Sequence, residues 1–180
     1  MLKKENEMRK KNDRLFNSKI QKVLNKLISE EQIAHDFYIA CTLATDIDEV
    51  KSFKDMFYEI AVDELNDHHL KLVKWSVDND YDVPFRYKDY ENFADEKVFR
   101  SVNSLKSGEK AKYYIDKAIE QEEIAIKSYE EAIDILNTIE DASYSLYEII
   151  MQNYIDEKEH LSKLNMLKDA IHNGINLIGF

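Results

Sequence analysis

At 180 residues the chain is long enough for one domain with a sizeable core and short for two, with 44% hydrophobic and 34% charged residues. Three Gly and one Pro leave few turn positions, so the composition argues against a two-sheet protein and favours long helices. A formal net charge of −11 argues against generic nucleic-acid or anionic-membrane binding by the body of the protein, and the lone Cys41 excludes a disulfide framework and a four-cysteine metal site.

No apolar run approaches the roughly 18 residues of a membrane span, and the polar N-terminus does not read as a secretory signal. The expectation is a soluble, cytoplasmic protein. Residues 1–17 carry six basic side chains (Lys3, Lys4, Arg9, Lys10, Lys11, Arg14) against three acidic ones. They read as a charged arm or an extension of the first helix, and they are the one stretch where contact with nucleic acid has any footing.

A four-helix bundle is predicted over residues 18–173. Helix one, about 18–45, has a stripe of Ile20, Leu24, Leu27, Glu31, Ala34, Tyr38 and Cys41 at steps of three or four. Asp46 or Asp48 can cap helix two, about 50–77, with Phe57, Ala61, Leu65, His68, Leu72 and Trp75 inward. The pattern lapses over 79–108, which holds the only proline, Pro84. A connection of that length suits a crossover between parallel helices two and three, its aromatics (Tyr81, Phe85, Tyr87, Tyr90, Phe93) tacking it to the bundle. Helix three, about 109–137, carries Ile115, Ile119, Glu122, Ile126, Tyr129, Ile133 and Leu136. Helix four, about 141–172, carries Leu146, Ile149, Asn153, Glu157, His160, Leu164, Leu167 and Ile171. Residues 174–180 form an apolar tail, either a short cap or a contact for another subunit.

The polar interruptions of these stripes form a set: Glu31, Glu122, Glu157 with His160, and on helix two Glu64 with His68. A buried, unpaired carboxylate costs several kcal/mol, on the order of 3–5, so it protonates or finds a cation. Four glutamates and two histidines meeting at one centre suit two divalent first-row ions such as iron or manganese. The halves also repeat. "EQIAHDFY" places Tyr38 seven residues after Glu31, and "EEIAIKSY" places Tyr129 seven after Glu122. Glu31 to His68 is 37 residues and Glu122 to His160 is 38. The competing reading of the same residues is a metal-free structural or interaction bundle with these carboxylates on its surface. His35 and His69 are expected on the flank.

Over residues 20–172 the chain resembles the ferritin-like di-iron superfamily, which includes ferritins, bacterioferritins and rubrerythrins. The resemblance implies an all-α bundle with a long crossover and a centre of two iron ions, manganese being the alternative. It implies Glu31 from helix one, Glu122 from helix three, and Glu157 with His160 from helix four ("DEKEH") as metal ligands. Tyr38 and Tyr129 are implied as tyrosines acting beside the centre. Helix two departs from the pattern, because "VDELNDHHL" contains no Glu-x-x-His. Glu64 and His68 stand four apart, which still shares a face, and a π-bulge adjusts their aim; the alternative is a centre lacking one carboxylate, with Asp67 or His69 drawn in or one metal position weakened. The implied activity is oxidation of Fe(II) by oxygen or peroxide for iron storage or detoxification, in a homo-oligomer. A rubrerythrin-like peroxide reductase or other di-metal oxidoreductase is the alternative, and with one cysteine it needs an external electron donor.

Overall fold

The computed structural model describes residues 2–45, 51–84, 107–139 and 143–173. Four helices make up nearly all of them. Helix α1 (Leu2–Thr45) contains no Gly or Pro and runs unbroken. Helix α2 is composite: an α-helix over Lys51–Asp63, a π-helical segment over Glu64–His69, and an α-helix again over Leu70–Asp78. Helices α3 (Ser107–Asn137) and α4 (Tyr144–His172) follow. The chain is all-α, with α1 packed chiefly on α2 and α3 on α4.

Two apolar clusters fill the bundle. One gathers Phe37, Tyr38 and Cys41 of α1, Phe53 and Phe57 of α2, Ile115 and Ile119 of α3, and Leu164 of α4. The other gathers Ile20, Leu24 and Leu27 of α1, Leu72 and Trp75 of α2, Tyr129 and Leu136 of α3, and Leu146 and Ile150 of α4. Helix α1 meets the second cluster before the first, and α2 meets the first before the second. Helix α3 follows the order of α2, and α4 that of α1. Helices α2 and α3 are therefore parallel, as the long stretch of sequence between them allows. In every helix the polar interruptions lie between the two clusters, which seals the centre at both ends with aliphatic and aromatic surface.

Helix α2 ends in a Schellman motif. Asp80 is left-handed (φ 60°), its N–H donating to the Val77 carbonyl at 3.3 Å, while the Tyr81 N–H donates to the Ser76 carbonyl at 2.9 Å. The Tyr81 ring stacks on Trp75, centroids 5.6 Å apart, as the motif's apolar contact requires. Gln21 of α1 then holds the start of the crossover through both halves of its amide, donating to the Asp82 carbonyl (2.7 Å) and accepting from the Asp82 N–H (2.9 Å). The crossover aromatics Phe85, Tyr87, Tyr90 and Phe93, the caps Asp46 and Asp48, and the tail 174–180 lie outside the described residues.

The expected stripes differ from the observed ones in a few places. Leu65 is only half-buried, because the π segment turns Glu64 and His68 to the interior in its stead. On α4 Ile150 is fully buried, while Ile149 only flanks the core. His69 is not a flank residue: it is 7% exposed, turned toward α1.

Candidate metal centre

The six interrupting residues converge. Glu31, Glu64, His68, Glu122, Glu157 and His160 are each at most 2% exposed. They form two overlapping groups, Glu31, Glu64, His68 and Glu157 on one side, and Glu64, Glu122, Glu157 and His160 on the other. Within each group one donor atom per residue lies within 4.8 Å of the others. Glu64 and Glu157 belong to both and could be shared by two ions. Glu31 with His68, and Glu122 with His160, belong to one group each and could each serve one ion.

This symmetry depends on the π segment. On α4 the shared Glu157 and the terminal His160 are three residues apart on a regular helix, whereas on α2 Glu64 and His68 are four apart. The extra residue is absorbed where the Leu70 N–H donates to the Leu65 carbonyl, five residues back, and both side chains still face inward. Asp67 remains exposed and pairs with Lys71 (2.9 Å), and His69 turns to the Ile28 carbonyl, so neither joins the groups.

Each imidazole presents Nδ1 to the centre. His68 Nδ1 lies 3.3 Å from Glu31, 3.2 Å from Glu64 and 3.1 Å from Glu157. His160 Nδ1 lies 3.5 Å from Glu64, 3.7 Å from Glu157 and 3.8 Å from Glu122. The outward nitrogens face a carboxylate on the opposite helix: His68 Nε2 is 3.6 Å from Asp156, and His160 Nε2 is 3.5 Å from Asp63. Each aspartate immediately precedes a shared glutamate, so the two-fold relation extends outward. Such carboxylate–histidine contacts orient a ligating ring and raise its basicity. Sequence reasoning missed both, although the repeated Asp-Glu pairs at 63–64 and 156–157 carried the signal.

The tyrosines are crossed. Tyr38, seven residues after Glu31, donates its hydroxyl to Glu122, and Tyr129, seven after Glu122, donates to Glu31. The Asn153 amide donates to the Tyr129 oxygen at 2.9 Å. Both phenols are pushed well above their usual range by burial first and then by the facing carboxylates, so they stay protonated and orient Glu122 and Glu31.

Without a cation the centre holds protons. Burial and then the Glu31 charge raise Glu64, and burial and then the Glu157 charge push Glu122 well above the usual carboxylate range. Burial and the Glu64 charge also push Glu157 up, but the neighbouring His160 and His68 imidazoles and the Glu122 carboxyl outweigh them and hold it low. Burial disfavours charge on His68 and His160, yet the facing carboxylates prevail and raise both, His160 to about 9. The balance still leaves polar atoms imperfectly satisfied. Glu31 Oε2, Glu122 Oε2, both Glu157 oxygens and His160 Nδ1 are buried and lie within ion-pair reach of their neighbours without a well-aligned hydrogen bond. These atoms belong to the two groups, and a divalent ion in each would satisfy them, so the donor set fits a pair of such ions.

Two cavities flank the centre. One of about 210 Å³ is lined by Asp63, Asp67, Asp156, Glu159, His160 and Lys163, behind the histidines. The other, about 280 Å³, opens between α1 and α3, where Glu31 and Tyr129 are joined by Glu30, Gln121, Ala34 and Ala125.

A four-helix bundle with buried glutamates from two helices and Glu/His pairs from the other two has the donor arrangement of carboxylate-type bundles, which could hold metal. The chain belongs to the ferritin-like family: the family model "Ferritin-like domain" matches residues 21–172. Its fold is similar to the crystal structure of an M. penetrans ferritin, with a TM-score of 0.69 and 17% identity over 89% of this chain and 90% of that one. No curated protein matches it in sequence. Among the described residues no helix is long and apolar enough to cross a membrane.

Proposed function

We propose that this chain oxidises Fe(II) at a di-iron centre held by Glu31, Glu64, His68, Glu122, Glu157 and His160, in the service of iron storage or detoxification. The observation that carries the reading is the pair of buried groups sharing Glu64 and Glu157. A shared carboxylate couples two ions, so two one-electron donors sit together where a two-electron oxidant can take both electrons. The balance is two Fe(II), one dioxygen and two protons giving two Fe(III) and one hydrogen peroxide. With peroxide as oxidant, two Fe(II), one peroxide and two protons give two Fe(III) and two waters.

The residues divide this work. Carboxylates stabilise Fe(III) over Fe(II), and Glu64 and Glu157, common to both groups, would offer that charge to both ions. Tyr38 and Tyr129 donate to Glu122 and Glu31 and so orient the carboxylates that would hold one ion each. Asp63 and Asp156 fix the imidazole rings from behind. The acidic cavity at His160 supplies a field that draws cations toward the centre.

The test is oxygen uptake after anaerobic loading with two equivalents of Fe(II). The reading expects one dioxygen or less consumed per two Fe(II), and loss of that uptake in Glu157→Ala and His160→Ala with helicity retained. Undiminished uptake in both variants overturns it. The storage reading further implies a hollow homo-oligomer, which light scattering distinguishes from a dimer.

A further inference from the structure

We propose that His69, with His35 across from it, is a positioning residue that clamps the π segment of α2 to α1 and thereby aims Glu64 and His68 at the centre. The inference rests on the metal-binding reading above, but its geometry does not involve any ligand atom. His69 Nδ1 lies 3.0 Å from the Ile28 carbonyl, and His35 Nδ1 lies 2.8 Å from the Ala61 carbonyl. A carbonyl only accepts, so both imidazoles donate, each from one helix to the backbone of the other.

The two contacts are equivalent under the exchange of α1 and α2. Ile28 stands three residues before Glu31 and Ala61 three before Glu64. From accepting carbonyl to donating histidine the count is seven on α1 (Ile28 to His35) and eight on α2 (Ala61 to His69). The surplus residue on α2 is the one the π segment absorbs. A regular α-helix through residues 64–69 would carry His69 past the Ile28 carbonyl and rotate His68 relative to Glu64. The His69 contact therefore exists only in the π register, and forming it favours that register over the α alternative. Isolated π segments are rare and need such a tertiary reason. Helix α4 has the regular spacing at Glu157 and His160, and there the residue after the histidine, Leu161, is a half-buried aliphatic packed on the apolar cluster.

The clamp acts unequally on the two groups. Releasing it displaces His68 and Glu64, leaving Glu31 and Glu157 in the first group but Glu122, Glu157 and His160 in the second. The experiment compares wild type with His69→Leu, which removes the donor, and His69→Asn, which keeps an amide donor near the Nδ1 position. Anaerobic Co(II) titration followed by visible absorption reads the two binding steps, with His68→Ala identifying the step that belongs to the first group. We expect His69→Leu to weaken that step by about 10- to 100-fold, as loss of outer contacts to metal ligands does. The other step, which shares only Glu64, should weaken by a smaller factor, and His69→Asn should recover both.

Amide hydrogen exchange on metal-free protein provides the independent arm. His69→Leu should speed exchange across residues 64–70 by about tenfold, with α3 and α4 unchanged and His69→Asn restoring protection. Unchanged exchange and unchanged Co(II) steps in His69→Leu overturn the proposal. So does uniform loss in all helices and at both steps, which is the signature of a merely structural residue. If wild type takes up no Co(II), the di-metal reading is what fails, and the exchange arm alone decides the clamp.

Discussion

Glu122→Gln should stabilise the metal-free protein and shrink the increment that metal adds, the combination expected of a ligand carboxylate. Glu122 is 1% exposed, and its carboxyl is driven well above its ordinary 4.5 by burial first and by the Glu157 charge next. A carboxyl that must take up a proton to fold at pH 7 costs at most 2.303RT for each unit between 7 and 4.5, a ceiling of about 3.4 kcal/mol. Glutamine is uncharged, still accepts from the Tyr38 hydroxyl, and turns its amide toward carboxylates. The variant should therefore recover about 1–3 kcal/mol of that cost, which raises Tm by about 2–10 °C for a domain of this size. In the presence of ion at a hundred times Kd, wild type gains about 2.7 kcal/mol per site. Losing one donor of the group Glu64, Glu122, Glu157 and His160 weakens that site by about 10- to 100-fold and removes about 1.3–2.3 kcal/mol of the gain. The assay is thermal unfolding followed by circular dichroism, in chelator and in anaerobic Mn(II). A lower metal-free Tm with an undiminished metal increment would refute the reasoning, because Glu122 would then be a structural acceptor for Tyr38 and nothing more.

Further consequences concern protons, the tyrosines and the outer carboxylates. Metal-free stability should fall as pH rises. Glu64 and Glu122, raised when folded, contribute below 4.5 and lose that contribution as pH climbs through their folded values. His160 contributes fully below 6.5 and loses it as pH passes about 9, and His68 shifts the same way. Bound metal should reverse the trend by displacing these protons, which an indicator dye in weak buffer would register as acid release on Mn(II) addition. Tyr129→Phe should cost more than Tyr38→Phe, about 2 kcal/mol against about 1 in denaturant unfolding, because it also strips the Asn153 amide of its acceptor. Asp156→Asn should weaken chiefly the ion facing Glu31 and His68, and Asp63→Asn the ion facing Glu122 and His160, by about tenfold each in calorimetric Co(II) titration.

Much of this architecture was legible because the signals were periodic. Steps of three and four at Ile20, Leu24, Leu27 and Tyr38 defined a helix, and the charged residues falling on such stripes marked a centre. The two-fold repeat was visible in Glu31–Tyr38 and Glu122–Tyr129. What the period could not convey was a change of period. An α-helical wheel places Leu65 inward together with His68, and the π segment accounts for Leu65 being only half-buried while Glu64 and His68 both face the centre. The outward aspartates were missed for a related reason. Asp63 and Asp156 lie off the apolar stripes, and their partners are histidines of another helix, a pairing that emerges only when the helices are docked. A lone histidine such as His69 carries no periodic signal that separates flank from interior, and its partner is a backbone carbonyl.

The measurement closest to the central claim is anomalous diffraction from crystals grown with Mn(II) or anaerobic Fe(II), collected on both sides of the metal edge. The account predicts two peaks inside the bundle about 3.5–4 Å apart. One should be bounded by Glu31 and His68, the other by Glu122 and His160, with Glu64 and Glu157 between them. Peaks confined to the outer acidic cavity at Asp67 and Glu159, or no peak among the six buried residues, would contradict it.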